Sequence, residues 1–449
     1  MTVDLLVSGG FVVTPNGRRR ANVAVVDGRI VHVGDDRPAA RQEVDASGLL
    51  VLPGGVDTHV HLMDPGSTDR EDFPTGTGAA ASAGVTTIIE HSHGQPVRTV
   101  DDLRDKQAYL SGRANVDFGL AAHAWPSATD VAALWQAGVA FFKVFTCDTH
   151  GIPGHDAAAL RHHLASTAMV DAVSLVHCED DSITADAERL LRRSGRTDGS
   201  VVPEWRDRDA EVVAAAVTAI LVRRSGARAV VAHVSHPEVA DYIQRERAAG
   251  ARLGAEACPQ YFLLREHEVH EHGALRKFTP PARARTDADE AELWRLLRSG
   301  TLTHMSTDHA PSTLEQKAAG DIWNVHFGLP GLDSTMPVLL DACARGHLAV
   351  EDVARVYAEV PARLYGLWPR KGRIGPGADA DLVLVDPGHT WTLSNDAVLS
   401  KAGWTPFDGR RIIGRVVRTF LRGRLVAQEG KPTDGRDGAF LGRNAQASP

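Results

Sequence analysis

This chain has few cysteines, no long apolar run and no net positive charge, and each of these absences argues against a class of protein. The four cysteines have no Cys-x-x-Cys spacing, which favours reduced thiols over a disulfide framework; they are Cys147, Cys178, Cys258 and Cys343. The longest apolar stretches, such as residues 210–222, have charges nearby and fall short of a membrane span. The formal net charge is −8, whereas nucleic acid and anionic membranes attract basic surfaces.

The first ten residues also lack the basic region and apolar stretch that mark a secretory leader. We therefore expect a cytoplasmic protein whose partners are neither nucleic acid nor membrane. The 449 residues, 43% of them hydrophobic and 24% charged, suit a barrel of about 250–350 residues with a smaller second domain.

Between about residues 55 and 365, short apolar runs alternate with longer amphipathic or alanine-rich stretches. This alternation is typical of βα units around a parallel sheet. Eight runs are predicted as strands: Val56–His61, Val85–Glu90, Asp117–Ala124, Phe141–Thr146, Val173–Cys178, Ala229–Val234, Arg252–Cys258 and Thr303–Asp308. Four stretches are the clearest predicted helices: Ala128–Ala137, Ala157–Ala168, Glu211–Arg224 and Pro237–Ala249. The pattern favours a closed (β/α)8 barrel over residues 55–365, with a doubly wound open sheet as the alternative.

Both ends of the chain have β character instead. Three short runs near the N-terminus are separated by turns such as Asp27-Gly28: Leu5–Val7, Val23–Val26 and Ile30–Val33. Three more follow residue 370: Ala380–Val385, Arg411–Val417 and Thr419–Val426. We expect residues 1–54 and 366–430 to form one small β-sandwich. The tail, residues 431–449, is either flexible or packed on a neighbouring subunit.

Polar side chains that bind metals occur at the ends of five predicted strands, where the active sites of such barrels lie. His59 and His61 share one strand face because side chains alternate with period two, so both imidazoles can bind one ion. Asp57, on the same face, is either a support for them or a strand-start residue. The remaining metal-binding side chains at the ends of predicted strands are Lys143, His177, His233 and Asp308.

Each of these residues also has an ordinary explanation. An isolated His-x-His is often a surface pair, and a single strand-end histidine is often a core residue. Lys143 is either a lysine whose ammonium reaches the rim or a lysine carbamylated by CO2. Asp308 is either a metal ligand and general base or a helix cap. Six ligand-type residues at five strand ends favour a metal centre over coincidence.

Several segments resemble the cyclic amidohydrolases, the group of allantoinase, hydantoinase/dihydropyrimidinase and dihydroorotase. The resemblance runs from Asp4 to about Gly430, and its motifs lie at residues 53–61, 142–145, 176–179, 232–235, 258–261, 279–281, 306–309 and 372–381. It implies a (β/α)8 barrel with a β-sandwich built from both termini. It also implies a homodimer or homotetramer with two divalent ions per chain, zinc by default and manganese, cobalt or iron as alternatives.

In this resemblance, His59, His61 and Asp308 bind one ion. His177 and His233 bind the other, and N6-carboxylated Lys143 bridges the two. A hydroxide shared by the ions attacks the ring carbonyl, and Asp308 is the general acid and base. His309 is a candidate substrate contact or a support for its loop, and Thr279 in the Thr-Pro-Pro segment is another candidate contact.

Departures from the pattern narrow the substrate, and the positions concerned are further candidate substrate contacts: Met63, His91, His93, Asp148 and Pro330. Dihydroorotases usually have an arginine where this chain has Met63, and an asparagine where it has the segment His91-Ser92-His93. Dihydropyrimidinases and many hydantoinases have a tyrosine at the position of Asp148 and an asparagine at that of Pro330. The chain therefore resembles allantoinases most, and a neutral hydantoin- or ureide-type ring is the expected substrate.

Other functions stay open at this point. A dihydropyrimidinase-like or dihydroorotase-like cyclic amidase is one alternative. A hydrolase of linear N-acyl or carbamoyl compounds is another, and a non-catalytic scaffold is the third, although scaffold homologues have lost metal ligands that this chain retains.

Overall fold

The computed structural model of the chain describes residues 2–126 and 129–443. Nine strands build the central barrel: β6 (Gly55–Val60), β7 (Val85–Glu90), β8 (Asp117–Leu120), β9 (Ala122–His123), β10 (Phe142–Phe145), β11 (Val173–His177), β12 (Arg228–Val231), β13 (Arg252–Ala257) and β14 (His304–Met305). β8 and β9 are two parts of one barrel strand, separated at Ala121, so the nine pieces correspond to the eight predicted strands.

The strands lie in chain order and pair in parallel with their neighbours. A parallel bridge between Val60 and His309 joins the first strand to the segment after the last one. There the amide of His61 donates to the carbonyl of His309 at 2.8 Å. The sheet is therefore closed, and the barrel is confirmed over the doubly wound alternative.

Helices surround this barrel and link its strands. They are α1 (Phe73–Ser82), α2 (Val100–Leu110), α3 (Val131–Ala137), α4 (Ala157–Met169), α5 (Asp181–Arg193), α6 (Val201–Trp205), α7 (Arg208–Ser225), α8 (Pro237–Ala248), α9 (Pro259–Leu263), α10 (Glu268–His272), α11 (Asp287–Ser299), α12 (Leu314–Ala318), α13 (Thr335–Ala344), α14 (Val350–Ala354) and α15 (Val360–Leu364). Among residues 2–126 and 129–443, none of the helices combines the length and the apolar character that a membrane crossing requires.

The four predicted helices are α3, α4, α7 and α8, and capping residues explain where the observed ends differ. Asp207 accepts from the amide of Ala210, so α7 begins at Arg208, three residues before its predicted start. Asp130 caps α3 in the same way. The predicted start of α3, Ala128, lies outside the described residues.

A nine-stranded mixed sheet takes strands from both ends of the chain and forms the sandwich part of the fold. Its members are β1 (Val3–Thr14), β2 (Gly17–Val26), β3 (Arg29–Gly34), β4 (Ala40–Asp45), β5 (Leu50–Pro53), β15 (Leu382–Thr392), β16 (Arg411–Leu421), β17 (Arg424–Gln428) and β18 (Lys431–Pro432). Antiparallel pairing of β5 with β15 joins the two ends. The domain limits at residues 54 and 366 stay a prediction.

Two turns in this sheet depend on left-handed backbone. Asp27 and Gly28 have φ of 49° and 73°, the combination that a tight hairpin between β2 and β3 requires. The predicted strand interruption at Arg418 is absent. Instead β16 continues to Leu421, and Arg422 and Gly423 (φ 47° and 74°) make the turn.

The described part of the tail packs on its own chain. Leu441 donates its amide to the carbonyl of Phe118 at 2.7 Å, and the rings of Phe118 and Phe440 lie 5.8 Å apart. The tail therefore covers the barrel strand β8 as far as Arg443, and the rest of it, residues 444–449, lies outside the described residues.

Candidate active site at the barrel mouth

Inward-facing strand positions deliver the predicted ligands to one end of the barrel. Phe141 and Leu175 lie in the apolar cluster inside the barrel. Lys143 and His177 follow them by two residues and are buried. Because side chains alternate along a strand, each polar residue continues the inward face at the point where the apolar filling ends.

Two residues reach the site through strained backbone instead. Ala232 already faces the interior, so an extended chain would turn His233 outward. His233 has φ 36° and Asp308 has φ 50°. Left-handed backbone costs a non-glycine residue on the order of 1–3 kcal/mol and is concentrated at functional sites.

His59, His61, Lys143 and Asp308 converge on one point. The Oδ1 atom of Asp308 lies 3.1 Å from Nε2 of His59 and 3.4 Å from Nε2 of His61. The Nζ atom of Lys143 lies 3.3 Å from Nε2 of His59. Asp308 is 12% exposed and the two histidines 2% or less, so the cluster is open to solvent mainly on the Asp308 side.

Hydrogen bonds on the far side of each ring fix which nitrogen faces this point. Nδ1 of His59 donates to Oε1 of Glu256 at 2.6 Å, and Nδ1 of His61 donates to the carbonyl of His91 at 3.1 Å. Burial lowers the pKa of His61 to about 3. A neutral ring that donates through Nδ1 has a lone pair on Nε2, which is the form that binds a metal ion.

His177 and His233 make a second pair. Nδ1 of His177 lies 3.0 Å from Nε2 of His233, while Nε2 of His177 donates to Glu179 at 2.8 Å. The lone pairs of two neutral rings repel at this distance unless a proton or a cation lies between them. With a cation in that position, the two nitrogens would be two ligands of one ion.

A buried ionic network holds Glu179 beneath His177. The guanidinium groups of Arg206 and Arg283 lie 2.7 and 2.8 Å from its carboxylate, and the hydroxyl of Thr279 donates to it at 2.6 Å. Burial raises the pKa of Glu179, but Arg206, His177 and Arg283 outweigh that effect and hold it well below its usual value. Glu179 is thus a fixed anion that orients His177.

Lys143 lies beside His59 and lines the same cavity as His177 and His233. Burial lowers the pKa of its amine from 10.5 to about 8. Nζ lies 5.2 Å from the centre of the Phe145 ring. The neutral amine, which is the form that reacts with CO2, is consequently far more populated near neutral pH than in an ordinary lysine.

The structure brings some of the candidate substrate contacts into the cavity above these groups. His93 and Thr279 line it, together with His150, Phe327 and Gly328. His91 contacts the rings of His59 and His61 from the side, at centroid distances of 4.6 and 4.4 Å.

Four other candidates hold loops around the cavity and are not among its lining residues. Met63 is buried, and its amide donates to Ser92 at 2.7 Å. Asp148 is exposed and accepts from the amide of Gly154. Nδ1 of His309 accepts from the amide of Gly331 at 3.0 Å, in the loop that follows the buried Pro330.

Sequence reasoning missed Glu256, His123 and His150. Glu256 is a fully buried carboxylate in strand β13, whose other buried residues are apolar, and a carboxylate among them was the signal that could have found it. His123 ends β9 as His177 ends β11. His150 lies on a loop and stacks on His93 at 4.2 Å, a contact that no local pattern indicates.

Known proteins resemble this chain over nearly its whole length. The sequence profile of the amidohydrolase family matches residues 50–426. Allantoinase from Salmonella choleraesuis (strain SC-B67) is 32% identical over 439 residues, which cover 95% of this chain and 95% of that protein. The L-hydantoinase (dihydropyrimidinase) from Arthrobacter aurescens has a TM-score of 0.93 at 28% identity, with 98% of this chain and 100% of that one covered. The dihydropyrimidinase from Brevibacillus agri NCHU1002 has a TM-score of 0.91 at 26% identity, with 99% of both chains covered.

Proposed function

Because the chain belongs to the amidohydrolase family, as its motifs predicted, we propose that it opens the C–N bond of a neutral cyclic amide. A hydantoin- or ureide-type ring such as allantoin is the proposed substrate. Family membership and the histidine groups imply a divalent metal centre. The observation that carries the proposal is the convergence of His59, His61, Lys143 and Asp308 beside the His177–His233 pair.

We assign the ligands to two ions. His59, His61 and Asp308 would hold one through Nε2, Nε2 and a carboxylate oxygen. His177 and His233 would hold the other through Nδ1 and Nε2, and Lys143, carbamylated on its amine, would contribute to both. Imidazole nitrogens and carboxylate oxygens suit zinc, and also manganese, cobalt or iron, so the donor set fits the implied centre.

When bound, such ions activate water near neutral pH and polarise a carbonyl group. Asp308 would accept the proton of the attacking water and deliver it to the ring nitrogen that leaves. His93 and Thr279, on the cavity wall, would contact the ring.

The preference for a neutral ring rests on the charges that face the cavity. Among the cavity's lining residues, Lys143 is the one lysine or arginine, and carbamylation would remove its positive charge. Met63 offers no positive charge at the position where dihydroorotases have arginine. A substrate carboxylate would therefore lose water without gaining a cationic partner. The curated allantoinase relative supports the same choice.

Elemental analysis followed by a ring-hydrolysis screen tests this function. We expect close to two divalent ions per chain in protein prepared without chelators. With the ions present, we expect ring opening of allantoin or hydantoin. Absence of metal and of uptake on reconstitution would exclude the metal centre. Turnover confined to linear N-acyl or carbamoyl compounds would support the competing hydrolase function.

We also propose a homodimer or homotetramer in the cytoplasm. The assembly is what the resemblance implies, and the four free cysteines support a reducing compartment. Light scattering of the metal-loaded protein measures the assembly.

A further inference from the structure

His91 lies directly against the first histidine pair but has no place in the six-residue ligand set. It follows β7 immediately, and its ring centre lies 4.6 Å from that of His59 and 4.4 Å from that of His61. Its carbonyl accepts the hydrogen bond that orients His61. The residue that sets the His61 ring therefore also places its own ring beside the site.

The imidazole of His91 is buried without a hydrogen-bond partner. The residue is 1% exposed, and neither Nδ1 nor Nε2 has a partner among the described residues. A neutral imidazole has one N–H donor and one acceptor nitrogen. Burying both unpaired is costly unless something else in the assembled site binds them.

The positions of three ring nitrogens indicate what binds there. His59, His61 and His91 each offer a nitrogen, and these three atoms lie within 4.8 Å of one another. We propose that His91 is a third imidazole ligand of the ion held by His59 and His61. The proposal rests on the metal centre of the proposed function and extends its ligand set by one residue.

A third imidazole would change which metal the site selects. Nitrogen donors favour zinc, cobalt, nickel and copper, whereas magnesium and manganese prefer oxygen donors. With His91 in the ligand set, the ion at His59 and His61 would have three nitrogen donors besides the Asp308 carboxylate. We therefore expect this position to discriminate more strongly against manganese than the position at His177 and His233.

A matched pair of buried histidines provides the test. His123 is also 1% exposed and also has two unpartnered ring nitrogens, and its ring centre lies 6.0 Å from that of His91. It does not belong to the three-histidine group. In competition titrations with a zinc chelator, we expect His91→Ala to raise the Kd of one zinc ion at least about 10-fold. His123→Ala should leave both Kd values unchanged.

Two further measurements test the assignment, and the second needs no variant. Free imidazole should restore zinc affinity in His91→Ala, because it can occupy the vacated ligand position. A crystal structure of the zinc-loaded wild-type protein should place a His91 ring nitrogen about 2.0–2.1 Å from an anomalous scattering peak.

A His91 nitrogen more than about 3 Å from every zinc peak, or an unchanged Kd in folded His91→Ala, would overturn the proposal. None of these readouts uses turnover. Failure of the ring-hydrolysis screen would therefore count against the proposed function and leave the His91 assignment to be decided by coordination alone.

Discussion

Nδ1 of His59 lies 2.6 Å from Oε1 of Glu256, and this contact joins the first strand of the barrel to the seventh. Neither side chain is more than 1% exposed. The same oxygen also accepts from the amide of His233 at 3.1 Å. One carboxylate thus holds the His59 ring and the His233 backbone, one residue in each of the two histidine pairs.

Removing this carboxylate should weaken metal binding without removing a ligand. Glu256→Gln replaces an anion with an amide that holds the His59 ring less firmly, and changes of this kind typically cost about 10–100-fold in metal affinity. Chelator competition measures the Kd. Asp379→Asn is the control, because Asp379 is equally buried but pairs with Arg370 and Lys371 away from the site. Equal Kd values for Glu256→Gln and wild type would contradict the orienting role.

Lys143→Ala should abolish binding of the metal pair while the fold survives. We expect kcat/KM to fall at least about 100-fold, because a directly bridging group matters at least as much as the residues that orient the ligands. Acetate or formate in solution should partly restore activity by replacing the carbamate. The control is Lys317→Met, which removes another buried ammonium. The protein with this substitution should still bind metal. Wild-type turnover by Lys143→Ala would exclude the bridge.

The rate at which apo protein takes up CO2 should depend on pH with a midpoint near 8. Burial lowers the pKa of Lys143 from 10.5 to about 8, and the neutral amine is the nucleophile. The initial rate should rise tenfold per pH unit below 8 and level off above it. Labelling with 13CO2 at fixed dissolved CO2, followed by NMR, measures this rate. A midpoint near 10.5 would show that the site leaves the amine unperturbed.

Dihydroorotate should be a poor substrate. Its carboxylate would enter a cavity whose one lysine or arginine is Lys143, and a missing charged partner typically costs a few kcal/mol, or about 100-fold or more in kcat/KM. Parallel assays of dihydroorotate, dihydrouracil, hydantoin and allantoin at equal concentration measure the discrimination. Efficient turnover of dihydroorotate with weak activity on the neutral rings would reverse the assignment.

Lys371 should contribute to the free energy of unfolding and not to catalysis. Its ammonium lies within 2.6–2.9 Å of three buried carboxylates, those of Asp117, Asp379 and Asp381, and they raise its pKa against the effect of burial. Lys371→Ala leaves buried charge uncompensated and should lower the free energy of unfolding by about 3–5 kcal/mol. Urea titration measures this loss. Arg104→Ala, which breaks an exposed ion pair, should have little effect, and kcat/KM should match wild type in both variants.

Local patterns alone predicted the barrel, because each strand is a short apolar run between amphipathic stretches. Period-two alternation also placed His59 and His61 on one strand face, and the ends of the apolar runs identified Lys143 and His177 as candidate ligands. Such relationships lie within a few residues of sequence, where backbone geometry fixes the side-chain direction. The cap at Asp207 and the turn at Arg422 place the start of α7 and the end of β16 only a few residues from their predicted positions.

The tertiary structure decided what depends on distant contacts. Glu256 is 197 residues from His59, and their hydrogen bond determines which nitrogen of His59 faces the site. The left-handed backbone at His233 and Asp308 directs side chains that an extended strand would turn elsewhere. The positions of His91 and His123 near the site depend on how neighbouring strands of the barrel pack side by side. Closing the barrel brings together residues from all eight strands, and the rings of His59 and His61 are held by partners from other strands.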